Sequence, residues 1–182
     1  NGTIKRMLAD NFKNIRQNGL KAITLVEGDE LIGAYQTDSS TDLMLVTAKG
    51  QSIVFSLEDL RPIGRAAQGV RGIKLNEDDY VVSLCSIEDN KYVIVISEMG
   101  YGKKTLLTNY HSQARGGKGV KTYKITSKTG NVISAQMVNM DDEIILVSGK
   151  GDVIRLAVRD ISTQGRSTQG VKLKDVKGDD DM

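Results

Sequence analysis

A glycine loop recurs about every fifty residues along this chain of 182 residues. The four loops read IRQNGL, GRAAQGV, ARGGKGV and GRSTQGV, at residues 15–20, 64–70, 114–120 and 165–171. Successive loops close on glycines that lie 50, 50 and 51 residues apart, at Gly19, Gly69, Gly119 and Gly170. Self-similarity at this period is typical of propeller-like arrays of small sheets. We therefore expect function in features that the repeats share.

A second set of glycines keeps the same spacing. Three of these turn glycines, Gly50, Gly100 and Gly151, stand between two apolar strands, and Gly2 occupies the equivalent point of its repeat. The residues that would form the first strand of this repeat, before Gly2, are not in the sequence. The spacing predicts that residues 1–182 form one fragment of a larger domain, with about three and a half repeats that start near these four glycines.

The sequence pattern within each repeat predicts four short strands. The expected first strands are apolar runs typical of strands covered on both faces, at residues 43–47, 92–97 and 143–148. The second strands, which form hairpins with the first, are expected at 51–57, 101–107 and 152–158. The third are expected at 19–25, 69–75 and 119–125, and the fourth at 30–36, 80–86 and 131–137. A polar stretch after each second strand predicts a turn or one helical turn. This pattern indicates an all-β propeller of four-stranded blades, although the absence of tryptophan argues against the WD type.

Composition excludes several classes of protein. No apolar run approaches the ~20 residues that cross a bilayer, and no signal-peptide pattern opens the chain. We therefore expect a cytoplasmic protein without membrane contact. The single cysteine, Cys85, cannot form an internal disulfide, and its apolar neighbours predict a buried thiol.

Charge is separated along the repeat, although the net charge is only +2. Acidic clusters follow the expected third strands, at residues 27–30, 77–79 and 179–181. By contrast, residues 99–128 contain seven lysines and arginines and no acidic side chain. Solvation of exposed strand faces is one interpretation of that run. The other is a contact surface for a polyanion.

Two recurring positions favour the contact surface. An arginine stands four residues before three of the closing glycines, at Arg65, Arg115 and Arg166. A basic residue also stands four residues after three turn glycines, at Arg6, Lys104 and Arg155. Stacked blades would align these positions along one rim. Lysines and arginines on such a rim suit a phosphate backbone, and glycines let main-chain N–H groups approach it.

Catalysis finds little support in the sequence. His111 is the only histidine and has no acidic neighbour in sequence, and the tyrosines lie in strand or turn patterns. The glycine loops lack the Lys-Ser/Thr ending and the following helix of a P-loop. Consecutive acidic residues in strand turns are more often solvated than metal-bound. We predict neither a catalytic residue nor a metal site.

The segment QARGGKG at 113–119 resembles the gyrase A box, a basic heptapeptide of the C-terminal domain of the bacterial DNA gyrase A protein. Phrases across the whole chain, among them DELIGAY, GVRGIKLNEDD and EMGYGKKT, are similar to the same domain. Ala114 departs from the box, where the family has a basic residue. The resemblance implies a β-pinwheel whose basic rim wraps DNA. The candidate DNA-binding residues are Gln113, Arg115, Gly116, Gly117, Lys118, Gly119, Lys121, Lys103, Lys104, Arg65, Arg166, Arg155, Arg6 and Arg16.

The same resemblance implies the partners: double-stranded DNA, with the gyrase B protein and a second gyrase A protein through the full-length chain. No cofactor is expected in this fragment, because ATP and Mg²⁺ are used elsewhere in the holoenzyme. The box resembles that of a later blade, so we expect a fragment that binds DNA weakly and does not wrap it alone. The alternatives are the equivalent domain of topoisomerase IV, a protein-interaction propeller and, least favoured, a propeller enzyme.

Overall fold

The computed structural model describes residues 1–37 and 41–176. The acidic run at 179–181 lies outside these residues. The described chain contains strands and single 3-10 turns, with no α-helix. The strands are β1 (Thr3–Ile4), β2 (Asp42–Thr47), β3 (Gln51–Ser56), β4 (Val70–Arg71), β5 (Val81–Ile87), β6 (Tyr92–Ser97), β7 (Tyr101–Leu106), β8 (Val120–Lys121), β9 (Val132–Val138), β10 (Glu143–Val147), β11 (Val153–Ala157) and β12 (Val171–Lys172). The 3-10 turns are η1 (Ala9–Phe12), η2 (Leu57–Asp59), η3 (Leu107–Asn109) and η4 (Val158–Asp160).

The predicted hairpins are present, because the first and second strands of a repeat pair antiparallel. Leu45 of β2 faces Ile53 of β3, and Val95 of β6 faces Lys103 of β7. The fourth strand of each repeat then pairs with the first, as β5 does with β2 and β9 with β6. The polar stretches after the second strands form η2, η3 and η4, so of the two predicted alternatives, a turn or one helical turn, the structure has the helical turn.

The third strand of each repeat leaves its own sheet and joins the preceding one. β4 pairs with β1, β8 with β3, and β12 with β7. The two four-stranded sheets in the described chain, β5-β2-β3-β8 and β12-β7-β6-β9, thus each combine three strands of one repeat with one strand of the next. The sequence does not show this exchange, since a short strand has the same composition whichever sheet it joins.

Turn glycines fix the exchanged strands. The carbonyl oxygen of Gly50 accepts hydrogen bonds from the N–H groups of Thr122 (2.8 Å) and Tyr123 (3.2 Å) in the next repeat. The carbonyls of Gly2 and Gly100 each accept two successive N–H groups in the same way. Gly50 has a φ of 79°, and a Cβ atom there would lie 2.5 Å from the carbonyl oxygen of Tyr123. The close approach of two repeats therefore requires glycine at this position.

Three apolar clusters stabilise the array. One lies within the β2–β3 sheet, another joins β6 to the β10–β11 hairpin, and the third lies between β5 and β9. In the third cluster the Cys85 thiol donates to the carbonyl oxygen of Ala135 at 3.3 Å. Cys85 is only 3% exposed, which confirms the predicted buried thiol, and burial raises its pKa to about 12.

The predicted third and fourth strands of the first repeat, at 19–25 and 30–36, are wrong. Both segments lack strand structure, and Leu31 and Tyr35 are 60% and 59% exposed. In the later repeats the third strand pairs with the second strand of the preceding repeat, and the fourth with the first strand of its own. Within residues 1–37 no strand precedes β1, so neither segment has a partner there. The remaining third strands are also shorter than predicted, at two residues each.

Replacement of Gly50 tests the requirement for glycine. We expect Gly50→Ala to lower the free energy of unfolding by at least about 1 kcal/mol, because a left-handed alanine is strained and its methyl group meets Tyr123. Gly165→Ala is the matched control, since no atom lies within 4 Å of a Cβ there. Denaturant unfolding of both variants gives the comparison. Equal midpoints would contradict the assigned role of Gly50.

Candidate nucleic-acid interface

Two of the predicted DNA-binding lysines lie inside the protein. Lys103 and Lys104 of β7 are 0% and 1% exposed. The Lys104 ammonium donates to the carbonyl oxygens of Val158 (2.7 Å) and Arg159 (3.2 Å) in η4. Buried ammonium groups cannot reach a phosphate, so the prediction that these two lysines contact DNA is wrong. They hold the polar turn and the glycine loop of the next repeat in place.

Lys103 holds that glycine loop. Its Nζ donates to the carbonyl oxygens of Gly165 and Arg166, at 2.6 Å each, and to the Thr168 hydroxyl at 3.0 Å. The ring of Tyr123 covers the ammonium, with its centroid 5.6 Å away. Burial, together with the nearby Arg166 guanidinium, lowers the pKa of Lys103 to about 7.

The first repeat has the same pair of anchors. Lys5 donates to the carbonyl oxygens of Ala22, Arg65 and Ala67, at 2.9, 2.6 and 2.8 Å. Arg6 is half-buried and donates to two carbonyl oxygens around η2, each at 3.3 Å. The basic residue four positions after the turn glycine therefore has a structural role at Arg6 and Lys104, where it binds backbone carbonyls. The sequence alone did not show this.

The arginines of the glycine loops link neighbouring repeats. Arg115 donates through Nε to the carbonyl oxygen of Asp59 (3.1 Å) and through Nη1 to that of Arg71 (3.2 Å). Arg166 donates to the carbonyl oxygen of Lys121 at 3.4 Å, the equivalent position one repeat later. Both arginines are half-buried at the junction of two repeats. Hydrogen bonds to backbone carbonyls thus bring basic residues of adjacent repeats together.

Backbone contacts continue this junction. Gly116 N–H donates to the Gly72 carbonyl (2.7 Å), and Lys74 N–H donates to the Gly117 carbonyl (2.8 Å). One repeat later, Lys124 N–H donates to the Thr168 carbonyl at 3.0 Å. These two glycine loops therefore lie against the third strand of the preceding repeat and the residues that follow it.

The result is a set of basic side chains that the fold brings together, which we call the basic edge. It consists of Arg71, Lys74, Arg115, Lys118, Lys121, Lys124, Arg166 and Lys172. Six of these residues are exposed, and the two arginines of the loops are half-buried. The list of candidate DNA-binding residues omitted Arg71, Lys74, Lys124 and Lys172, although Lys124 lies in the basic run at 99–128. One signal was available, since the second residue after each closing glycine is basic at Lys21, Arg71, Lys121 and Lys172.

The other residues of the heptapeptide shape the loop. Gln113 N–H donates to the Val54 carbonyl at 2.9 Å, and Gly119 packs directly against the Ser52 carbonyl with a φ of 70°. Gly116 and Gly117 supply the backbone contacts described above. Lys118 is exposed, and so is Ala114.

Three residues that the sequence predicted to bind DNA are not part of the basic edge. In the described chain no hydrogen bond links their side chains to it. Arg155 forms an ion pair with Glu143 at 3.4 Å across the β10–β11 hairpin. Arg16 is exposed in the first glycine loop. The Arg65 side chain is half-buried but, unlike Arg115 and Arg166, has no hydrogen-bond partner among residues 1–37 and 41–176.

No catalytic centre emerges from the described residues. His111 is exposed, and within 1–37 and 41–176 no three His, Cys, Asp or Glu side chains are placed to hold a metal ion. The same residues include no helix long and apolar enough to cross a membrane. One cavity is lined mainly by residues 1–37, with further lining residues from β2 and β5.

Comparison with known proteins places this arrangement in a family. The model of the family described as "DNA gyrase C-terminal domain, beta-propeller" matches residues 1–38, 41–84, 91–139 and 142–182. The chain belongs to this family. The DNA gyrase A protein of Mycolicibacterium smegmatis is 41% identical over 184 residues, and that of Staphylococcus epidermidis is 43% identical over 174. These alignments cover 100% and 94% of this chain but only 22% and 20% of the relatives.

Solved structures agree with the family and with the predicted β-pinwheel fold. A gyrase A C-terminal domain superimposes with a TM-score of 0.91 at 31% identity, over 99% of this chain and 60% of the other. The C-terminal domain of DNA topoisomerase IV also gives a TM-score of 0.91, at 27% identity, over 96% of this chain and 55% of the other. The fold and the recognised family are thereby confirmed.

Truncation of Arg115 tests the link between repeats. We expect Arg115→Ala to lower the free energy of unfolding by about 1 kcal/mol, because two charge-assisted hydrogen bonds are lost at a partly exposed site. The amide of Gly116 should also exchange faster with solvent. Arg65→Ala is the control, since its side chain has no hydrogen bond in the described chain. Equal effects of the two substitutions would rule out the linking role.

Proposed function

We propose that this domain binds duplex DNA through its basic edge, with little preference for base sequence. The observation that supports this most strongly is the pair of matching arginine contacts, Arg115 to the Arg71 carbonyl and Arg166 to the Lys121 carbonyl. Because both contacts span a junction between repeats, they extend the cationic surface from one repeat to the next. The phosphate backbone of a duplex is the polyanion whose repeating charge suits such a surface.

The charges of the edge are largely available to a ligand. Among the described residues, Lys172 is the member of the edge with an ion pair, to Asp175 at 2.9 Å. An exposed ion pair contributes little, roughly 0–1 kcal/mol, so a phosphate can replace it. Lysines and arginines that neutralise phosphates release condensed counterions, which makes binding strongly dependent on salt and independent of the bases.

The relatives support the same substrate. Both DNA gyrase and DNA topoisomerase IV are named for their action on DNA. The curated relatives described above are gyrase A proteins at 41% and 43% identity, which favours gyrase over topoisomerase IV. We infer that in the full-length protein the domain wraps DNA on its rim and supports ATP-dependent negative supercoiling, together with the gyrase B protein and a second gyrase A protein.

The extent of the edge limits what this part of the domain does alone. Smooth bending of a 20–30 base-pair site by 40–90° costs on the order of 1–6 kcal/mol. The basic edge joins only the repeats between Arg71 and Lys172. It offers few phosphate contacts to offset that cost, so wrapping requires the rest of the full-length protein. If the domain were instead a protein-interaction propeller, the basic edge would bind an acidic protein and not DNA.

Salt-dependent binding tests the proposal. In the full-length protein, we expect the double substitution Lys118→Ala and Lys121→Ala to reduce the slope of log affinity against log salt by roughly 1.8, about 0.9 for each lost phosphate contact. Fluorescence anisotropy with a labelled duplex at several salt concentrations gives this slope.

Lys91→Ala is the control for the loss of charge. Lys91 is exposed just before β6, at the opposite end of that strand from the turn glycine Gly100. Its removal should leave the slope unchanged. Equal losses in Lys91→Ala and in the double variant, or binding insensitive to salt, would refute the basic edge as the interface.

A further inference from the structure

We propose that Lys5 and Lys103 are positioning residues, which turn backbone N–H groups of the next repeat's glycine loop outward to bind phosphate. The inference rests on the proposed function and adds a role in phosphate binding for two lysines whose ammonium groups bind backbone carbonyls, Lys103 fully buried and Lys5 half-buried. It assigns part of the phosphate recognition to the main chain of the loops, in addition to the charged side chains of the basic edge.

The contacts of Lys103 fix the direction of two peptide units. Its ammonium lies 2.6 Å from the carbonyl oxygens of both Gly165 and Arg166. Because Lys103 is fully buried, both carbonyls point into the protein. All peptide bonds of the described chain are trans, and in a trans peptide the N–H points opposite to the C=O. The N–H groups of Arg166 and Ser167 therefore point away from Lys103, towards the outside.

These two N–H groups are available to a ligand. Ser167 is exposed, and neither N–H has an acceptor among the residues that the structure describes. Successive N–H groups that point to the same side form a concave site for anions. The guanidinium of Arg166 lies at the same loop and adds its charge. The loop thus presents both elements of a phosphate contact.

Lys5 occupies the equivalent position 98 residues earlier in the chain and also binds carbonyls of the next glycine loop. It donates to the carbonyl oxygens of Arg65 (2.6 Å) and Ala67 (2.8 Å). In trans peptides the N–H groups of Ala66 and Gln68 then point away from the half-buried Lys5, and both residues are exposed. These two N–H groups alternate along the loop, whereas those of Arg166 and Ser167 are successive. In both repeats a lysine at the same position therefore turns N–H groups of the next loop away from it, although at different peptide units.

The loop of the heptapeptide uses another device. The residue beneath it is Ile53, whose Cδ1 would lie 3.8 Å from a Cβ on Gly117. That loop has an exposed cation, Lys118, before its closing glycine, whereas the loops above Lys5 and Lys103 have Gln68 and Gln169 at the same position. Among these three glycine loops, two have a lysine on the strand beneath them, Lys5 or Lys103, and the third has a lysine on its exposed side, Lys118.

Stability alone does not account for a lysine beneath the loop. Removal of an ammonium group from water is costly, and replacement of buried charges by apolar side chains of similar volume is often neutral or stabilising. Ile53 shows that an apolar side chain at this position is compatible with the same fold. Orientation of the loop carbonyls is what the lysine supplies and an isoleucine does not.

Substitution of Lys103 by methionine, which has a similar shape and no charge, tests the inference. In the full-length protein we expect Lys103→Met to weaken binding of a labelled duplex about five-fold, the value of one typical hydrogen bond. The slope of log affinity against log salt should fall by roughly 0.9, because the displaced loop no longer holds the Arg166 guanidinium in contact with a phosphate. The thermal transition should stay cooperative and should not shift to lower temperature. Ile53→Met, at the same position of the neighbouring repeat, should change neither affinity nor slope.

The outcomes separate the two proposals. If the wild-type protein shows no salt-dependent binding, the proposed function is wrong. If the wild type binds as expected but Lys103→Met matches it in affinity and slope, the positioning role is wrong and the function stands. Equal losses in Ile53→Met and Lys103→Met would also overturn the positioning role.

A second measurement tests the inference without a substitution, in case the Lys103→Met variant does not fold. Hydrogen exchange of the full-length wild-type protein, followed at the amides of Arg166 and Ser167, should slow when duplex DNA is added. Exchange that DNA leaves unchanged at both amides would overturn the inference without any variant.

Discussion

One backbone interaction determines the arrangement of the whole array: the carbonyl of a turn glycine accepts two successive N–H groups from the following repeat. It occurs at Gly2, Gly50 and Gly100, each with a left-handed φ. Because the third strand is held there, it completes the sheet of its neighbour. Adjacent repeats are therefore joined by main-chain hydrogen bonds as well as by apolar packing, and the position of one repeat fixes that of the next.

The basic side chains fall into two groups for the same reason. Since a glycine loop lies against the preceding repeat, its arginine reaches a carbonyl there and places its charge at the junction, as Arg115 and Arg166 do. A lysine on the strand beneath points into the protein and binds the loop carbonyls, as Lys103 does. The first group provides charge towards a ligand, and the second determines which way the loop backbone faces.

Sequence periodicity was enough to predict the all-β class, the hairpins, the 3-10 turns and the glycine loops, because each depends on local patterns. Strand exchange was not predictable, since pairing between repeats leaves no local signature in a strand of two residues. The burial of Lys103 and Lys104 was missed because a basic run normally indicates an exposed face. Only the contacts of Lys103 with the last glycine loop and of Lys104 with η4 show that both faces of β7 are covered. Lys21, Arg71, Lys121 and Lys172 did leave a periodic signal.

Photo-crosslinking of a duplex to the full-length protein, with the attached peptides identified by mass spectrometry, tests the central claim that neighbouring repeats form one DNA-binding edge. The account predicts crosslinks in all three segments 71–74, 115–124 and 166–172, lost together as salt is raised. Crosslinks confined to a single loop, or located on the β10–β11 hairpin around Arg155, would contradict it.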